Sequence, residues 1–464
     1  MSPDDPIRMD AAEVVERQSP LPVPASAAYA WHEREGALER LLPPWERAEV
    51  VARTGGLEEG ALVTLAVGAG PFRLRWTARH RDTLRGSRFV DEQVEGPFAT
   101  WVHVHRFEPA TPETSVVYDR VEFTPPLGRV GRIAGRPLRV KVARMLRYRH
   151  ATLHDDLAAH AAAGGRPLHI AVTGASGLIG SALVPFLTTG GHTVTRLVRS
   201  RPGAGEAHWD PARGAIDAAA LEGVDAVVHL AGENLAGGRW TPQRKRALRE
   251  SRTVGTRLLA ETLARLARPP RVLLSASAIG IYGDRGDAPL DEASEPGAGF
   301  LPDLVRDWEA AAAPAVEAGI RVAHPRMGVV LSPRGGALAR LLLPFRAGVG
   351  GPVGSGRQWW SCVSIDDAIG ALHHAIVTPS IAGPFNVTAP EPLTNREFGR
   401  ALGRVLRRPA IVPVPAAALR IVLGEMADAA LLASARVIPR ALDAAGYRFR
   451  QPTIELALRH VLGR

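Results

Sequence analysis

Leu168-His-Ile-Ala-Val172-Thr173-Gly174-Ala175-Ser176-Gly177-Leu178-Ile179-Gly180 decides the architecture of this 464-residue chain. A short apolar strand runs into a turn with three glycines, and an apolar helix over 181–189 follows. That order aims backbone N–H groups and the positive end of a helix dipole at a pyrophosphate. Gly174 permits the tight turn, Gly177 lets a phosphate approach, and Gly180 lets helix and strand pack closely. Three glycines alone are a weak signal, but the strand before them and the helix after supply the required context. The stretch predicts a dinucleotide site, residues Gly174 to Gly180, in a doubly wound parallel sheet.

The next strand, 192–198, ends at Arg199-Ser200-Arg201. An acid about 20 residues beyond the first strand would bind a free ribose 2′-hydroxyl. An arginine pairs instead with a 2′-phosphate. NADP is therefore expected over NAD, with Arg199 and Ser200 beside its ribose and Arg196 and Arg201 adding charge.

Upstream, Gly164-Gly165-Arg166-Pro167 reads as a linker, which sets a first domain at 1–165. After the Pro-rich lead Ser19-Pro-Leu-Pro-Val-Pro comes a helical stretch over 26–42. Strands are expected at 61–67, 71–80, 88–95, 100–107 and 115–123, and a long helix over 137–163. Alternation is plain in Phe72-Arg-Leu-Arg-Trp76 and Trp101-Val-His-Val-His105. One helix, several antiparallel strands and a closing helix describe an α+β helix-grip fold. Trp101, His103, His105 and Phe107 share one strand face. That face either lines a cavity with aromatic walls and polar anchors, or lies outside, or belongs to an ordinary core. His103 and His105 are spaced like metal ligands, but no third ligand stands near them in the chain. No metal is expected.

Composition narrows the class. Apolar residues make up 46% and charged residues 22% of the chain, which fits folded globular domains rather than disorder. A single cysteine, Cys362, excludes a disulfide framework and multi-cysteine metal centres; it reads as structural, not nucleophilic. The start, Met1-Ser-Pro-Asp-Asp5, has no apolar signal core, and no apolar run reaches the ~18 residues of a membrane span. A soluble, cytoplasmic protein is expected. Net charge is +10, and arginine supplies all basic residues except Lys141 and Lys245. The acid-free block Arg129, Arg132, Arg136, Arg139, Lys141, Arg144, Arg147 and Arg149 is accompanied by no aromatic-stacking motif or recognition-helix pattern of a nucleic-acid surface. It reads as a solvated helix face, and no nucleic-acid partner is expected.

The second half resembles the extended short-chain dehydrogenases, which use the spacing Gly-x-x-Gly-x-x-Gly. Asp225-Ala-Val-Val-His-Leu-Ala-Gly-Glu233-Asn resembles their strand-four segment, which implies that Leu230, Ala231, Gly232 and Glu233 pass the adenosine half of the cofactor. Ser275-Ala-Ser277-Ala-Ile-Gly-Ile-Tyr282 resembles their active-site strand end. Arg321-Val-Ala-His-Pro-Arg326 resembles the strand reaching the nicotinamide, and Gly383-Pro-Phe-Asn386 a late-domain signature. The match narrows to an atypical NAD-dependent epimerase/dehydratase family, labelled sugar-nucleotide epimerase of the cell-division-inhibitor type. Arg239-Trp240-Thr-Pro-Gln-Arg-Lys245, Trp308-Glu309 and Gly350-Gly-Pro-Val-Gly-Ser-Gly-Arg-Gln-Trp359 carry it. Its small C-terminal helical module is matched by Pro392-Leu-Thr-Asn395, Val412-Pro-Val-Pro415, Gly424-Glu-Met426 and Gly446-Tyr-Arg-Phe449. The resemblance implies a Rossmann domain over 166–390, with the module, 391–464, packed against it. The first half resembles the SRPBCC (START-like) superfamily, whose members usually hold an apolar ligand between sheet and helix.

The catalytic residues depart from the family pattern. Short-chain dehydrogenases use Tyr-x-x-x-Lys, in which lysine lowers the tyrosine pKa. Here Pro137 and Thr241 stand four residues before the two lysines, and the expected helix 300–309 contains neither residue type. The usual Ser or Thr slot before Tyr282 is Ala278, with Ser277 one residue earlier. Ser277 and Tyr282 are the candidate catalytic residues, and Glu233, Asp303 and Arg326 are candidates for the same cleft. Two classes of function stand open. One is an NADP-dependent oxidoreductase or epimerase acting on a small carbonyl or nucleotide-sugar-like molecule with a non-standard acid. The other is a non-catalytic NADP(H)-sensing or ligand-binding regulatory protein.

Overall fold

In Ser115–Thr124 every second side chain is buried, the pattern of a strand with one face on a core. The computed structural model describes residues 12–68, 73–126, 135–164 and 166–464. The chain divides into two compact units, in essence Met1–Gly164 and Gly165–Arg464.

Seven strands form the sheet of the first unit: β1 (Glu13–Leu21), β2 (Ala48–Thr54), β3 (Leu62–Val67), β4 (Leu74–Leu84), β5 (Arg88–Glu95), β6 (Thr100–Pro109) and β7 (Ser115–Thr124). Their order is β1-β7-β6-β5-β4-β3-β2, antiparallel throughout. The Pro-rich lead is thus partly a strand, since β1 pairs along its whole length with β7. It lies on a sheet edge, where Pro20 is tolerated. The single helix expected over 26–42 is two, Ala25–Glu33 and Ala37–Leu41. Gly36 separates them with φ +90°, a backbone conformation that suits glycine. A 29-residue helix, Gly135–Ala163, closes the unit. Its Arg136, Arg139, Lys141 and Arg147 are exposed, and Arg139 and Lys141 pair with Glu13 and Glu46. Phe72, Arg129, Arg132, Gly165 and the opening Met1–Asp5 lie outside the described residues.

Trp101, His103, His105 and Phe107 all point inward, each at most 5% exposed. They are not a solvated outer face. Phe107 joins an apolar cluster with Tyr29, Trp31 and Phe89, and Trp101 joins another with Val121, Phe123 and Leu146. Between these inward positions on β6 and β7 come His103, His105 and Asp119, so a polar layer separates two apolar ones.

The second unit carries a sheet whose seven main strands run in parallel. Its order is Glu206–Asp210, Thr193–Val198, His169–Thr173, Ala226–His229, Val272–Ser275, Arg321–Met327 and Gly383–Val387. Strands such as Ala226–His229 are buried throughout, as a sheet covered on both faces requires. The chain winds outward from His169–Thr173 in one direction, then returns to Ala226–His229 and continues in the other. This is a doubly wound, Rossmann-like fold. Its switch point lies between those two strands, and in folds of this kind ligands bind in the crevice beyond the carboxyl ends there. Among the described residues no helix is long and apolar enough to cross a membrane.

Candidate functional site

The glycine turn leaves His169–Thr173 at the switch point. Gly174 has φ +67°, and a Cβ there would sit 2.8 Å from the Leu230 carbonyl carbon. Both facts demand glycine. At Gly180 a Cβ would lie 2.2 Å from the Gly174 carbonyl oxygen, so the helix Gly180–Thr189 starts hard against the turn. Gly177 is exposed, and a Cβ there would meet only the Gly174 oxygen, at 3.2 Å. The open side of Gly177 is the side from which a phosphate can reach the backbone. Ala175 and Ser176 continue the turn; Leu178 and Ile179 lead into the helix. A bare glycine turn, positive φ and an open face fit a dinucleotide pyrophosphate.

Across the switch point, Thr173 Oγ1 accepts the N–H groups of Leu230 at 3.1 Å and Ala231 at 3.2 Å, which fixes the second wall of the crevice. Gly232 and Glu233 continue it, exposed. The Glu233 carboxylate is held by Arg244 at 2.8 Å, and the Glu233 carbonyl by buried Arg252 at 3.0 Å. Beneath the loop runs a buried polar chain. His229 Nδ1 lies 2.7 Å from Thr173 Oγ1, and its Nε2 3.1 Å from Thr256 Oγ1. Trp308 Nε1 donates to the same Thr256 oxygen at 3.1 Å. Burial lowers the His229 pKa to about 4, so its imidazole is neutral. Arg199 and Ser200 stand exposed just past Thr193–Val198.

At the carboxyl ends of the next three strands a polar row crosses the sheet. Ser277 is the register partner of Arg326, and Arg326 of Asn386. Helix Phe300–Ala310 lies alongside, burying Leu301, Leu304, Val305 and Trp308 at helical spacing. It presents Glu309 to this row. Arg326 Nε and Nη2 grip the two Glu309 oxygens at 2.9 and 3.0 Å. Ser277 donates to Glu309 Oε1 at 2.5 Å. Tyr282 donates to Asn386 Oδ1 at 2.8 Å and accepts from Arg326 Nη1 at 3.1 Å. Burial favours the neutral acid of Glu309, but the bonds from Arg326 and Ser277 prevail and lower its pKa. Glu309 is ionised at neutral pH. For Tyr282 burial prevails, and its pKa is raised.

Exposure separates these groups. Tyr282 is fully buried and Ser277 is 2% exposed, whereas the Glu309 side chain keeps 15%. The structure therefore brings Ser277, Tyr282 and Arg326 together and adds Glu309 and Asn386, which sequence reasoning quoted without a role. It does not bring the other two candidates there. Glu233 is bound to Arg244, and Asp303 pairs with Arg306 on its own helix. Cys362 is buried, which pushes its thiol up to about 12, an inert position.

A family model for the NAD-dependent epimerase/dehydratase family matches residues 170–387. One for polyketide cyclase / dehydrase and lipid transport matches 21–147, and a domain of unknown function matches 414–461. Epimerase family protein Mb2239 of Mycobacterium bovis is 46% identical over 290 residues, 62% of this chain and 96% of the relative. The nucleoside-diphosphate sugar epimerase from Corynebacterium glutamicum is 36% identical in a structural match with TM-score 0.80, covering 97% of this chain and 90% of that one. Human epimerase family protein SDR39U1 (isoform 2), crystallised with NADPH, is 36% identical with TM-score 0.59 over 64% of this chain and 99% of that one.

Proposed function

The chain belongs to the epimerase family of extended short-chain dehydrogenases, and we propose that it is an NADP(H)-dependent oxidoreductase or epimerase in which Glu309 exchanges the proton. The observation that carries this reading is the Glu309 clamp at the carboxyl ends of the sheet. It occupies the helix on which the family's tyrosine–lysine pair is absent.

A relative 36% identical that was crystallised with NADPH supports this coenzyme, as does Arg199 at the strand end. When bound, the dinucleotide supplies hydride exchange at a carbinol or carbonyl carbon. The Gly174–Gly180 turn would hold the pyrophosphate, and Arg199 would pair with the 2′-phosphate. Arg326 keeps Glu309 ionised, and Ser277 fixes one of its oxygens by donating to it. In the oxidative direction Glu309 takes the proton of a substrate hydroxyl as hydride leaves the carbinol carbon; in the reductive direction the protonated carboxyl returns it. Tyr282 and Asn386 position Arg326. The nucleoside-diphosphate sugar epimerase among the similar structures supports nucleotide sugars as the first substrates to try.

The test uses NADPH deuterated at the nicotinamide C4 and a panel of carbonyl compounds led by 4-keto nucleotide sugars. The reading expects deuterium in a product, found by mass spectrometry. Coenzyme binding with label in no product overturns it and leaves a dinucleotide-sensing protein.

A further inference from the structure

Asp91 on β5 faces His103 on β6, and His105 on β6 faces Asp119 on β7, each as register partners. Register partners present their side chains to the same face of a sheet. The third ligand that the chain order did not reveal is therefore Asp91, from the adjacent strand. One ligand atom each from Asp91, His103 and His105 lie within 4.8 Å of one another. His105 Nε2 is 3.3 Å from Asp91 Oδ2, close to the ~3.4 Å edge of a tetrahedron with 2.0–2.1 Å metal bonds.

Two further features point to a ligand. His103 is 3% exposed, and its Nε2 makes no hydrogen bond but stands 3.5 Å from Asp119 Oδ2; a buried polar atom so weakly held is costly unless something else satisfies it. His105 Nε2 hydrogen-bonds Asp91 Oδ2 at 3.3 Å, a contact that a metal ion would replace, and Asp119 Oδ1 lies 2.8 Å from His105 Nδ1 on the other side of the ring. That is the carboxylate–histidine arrangement which orients imidazole ligands on metals. His150 Nε2, 3.2 Å from Asp119 Oδ2, and His80 Nδ1, 2.7 Å from Asp91 Oδ1, complete the surroundings. The Asp91 side chain is 22% exposed and the His105 side chain 1%, so a hydrated ion has its way in at Asp91.

We infer that Asp91, His103 and His105 bind a divalent transition-metal cation, with Asp119 as the residue that orients His105. Two imidazoles and one carboxylate select the zinc, cobalt, iron or nickel class over magnesium and calcium. The 4.8 Å spread closes to at most ~4.2 Å around such an ion. The site lies within the first unit and is independent of the dinucleotide chemistry.

The test is titration of the chelator-treated full-length chain with Co(II) alone, read by its visible absorption. One equivalent per chain and a band of tetrahedral or five-coordinate cobalt are expected. His103→Gln should abolish the band, and Asp119→Asn should weaken binding about 10–100-fold. No cobalt spectrum at millimolar metal overturns the site, and so does an unchanged spectrum in folded His103→Gln. Should that variant fail to fold, X-ray absorption of the zinc-loaded wild type decides. Two imidazoles in the coordination shell support the site; fewer contradict it.

Discussion

Arg326 holds Glu309 by two nearly equal bonds, 2.9 and 3.0 Å, from a strand 17 residues beyond it in the chain. Arginine's planar fork makes this geometry specific. It favours the ionised form of a carboxylate at the end of a parallel sheet.

Removing the fork strands that carboxylate. Arg326→Met is expected to destabilise the protein by about 3–5 kcal/mol, because it leaves a largely buried charge without its partner. Arg326→Met combined with Glu309→Leu should recover much of the loss. Urea unfolding of both variants checks this; equal destabilisation by the single and double changes would refute it.

Gly180 and Gly177 should fail in different ways. Gly180→Ala places a Cβ 2.2 Å from the Gly174 oxygen and should cost about 1–3 kcal/mol of stability through overpacking. Gly177→Ala brings a Cβ 3.2 Å from the same Gly174 oxygen, a looser contact, and should cost less stability than Gly180→Ala, while Gly177→Asp should abolish NADPH binding by blocking and repelling phosphate. Thermal unfolding and calorimetric titration separate the two effects.

Much of this turn was legible because its logic is local: strand, glycines and helix are contiguous. The strand β6 was legible from the alternation in Trp101-Val-His-Val-His105. By contrast β2 is almost wholly exposed along one sheet edge, so no burial pattern marks it, and β1 hides behind its proline. The role of Glu309 was invisible for another reason. Ser277, Arg326 and Asn386 are scattered through the chain, and only the parallel register aligns them. The same holds for Asp91 beside His103. Pairings set by register cannot be read from spacing along one strand.

Acid should weaken the second unit through His229. Burial holds its pKa at about 4 in the fold, against an ordinary 6.5. Between those values the unfolded chain binds the proton and the native one does not, so stability rises with pH across that window. The contribution is fully present above about 6.5 and is lost as pH falls toward 4. It amounts to a few kcal/mol. His229→Gln should flatten the slope of unfolding free energy between pH 4 and 6.5; an unchanged slope would contradict it.

Coenzyme choice should depend on Arg199. Arg199→Asp removes the 2′-phosphate partner and supplies an acid for a free 2′-hydroxyl. NADPH affinity should fall about tenfold to a hundredfold, as expected for a charge-assisted contact, with NADH affinity kept or raised. Equal losses for both coenzymes would make the side chain merely structural.

The measurement that bears most directly on the account is single-turnover hydride transfer in Glu309→Gln, beside wild type and the surface control Asp303→Asn. General acid–base groups contribute about 10²–10⁴-fold. Glu309→Gln is predicted to bind NADPH as wild type does and to lose transfer by that factor, while Asp303→Asn keeps it. A Glu309→Gln rate close to wild type, with coenzyme bound, would contradict the assignment of the proton to Glu309.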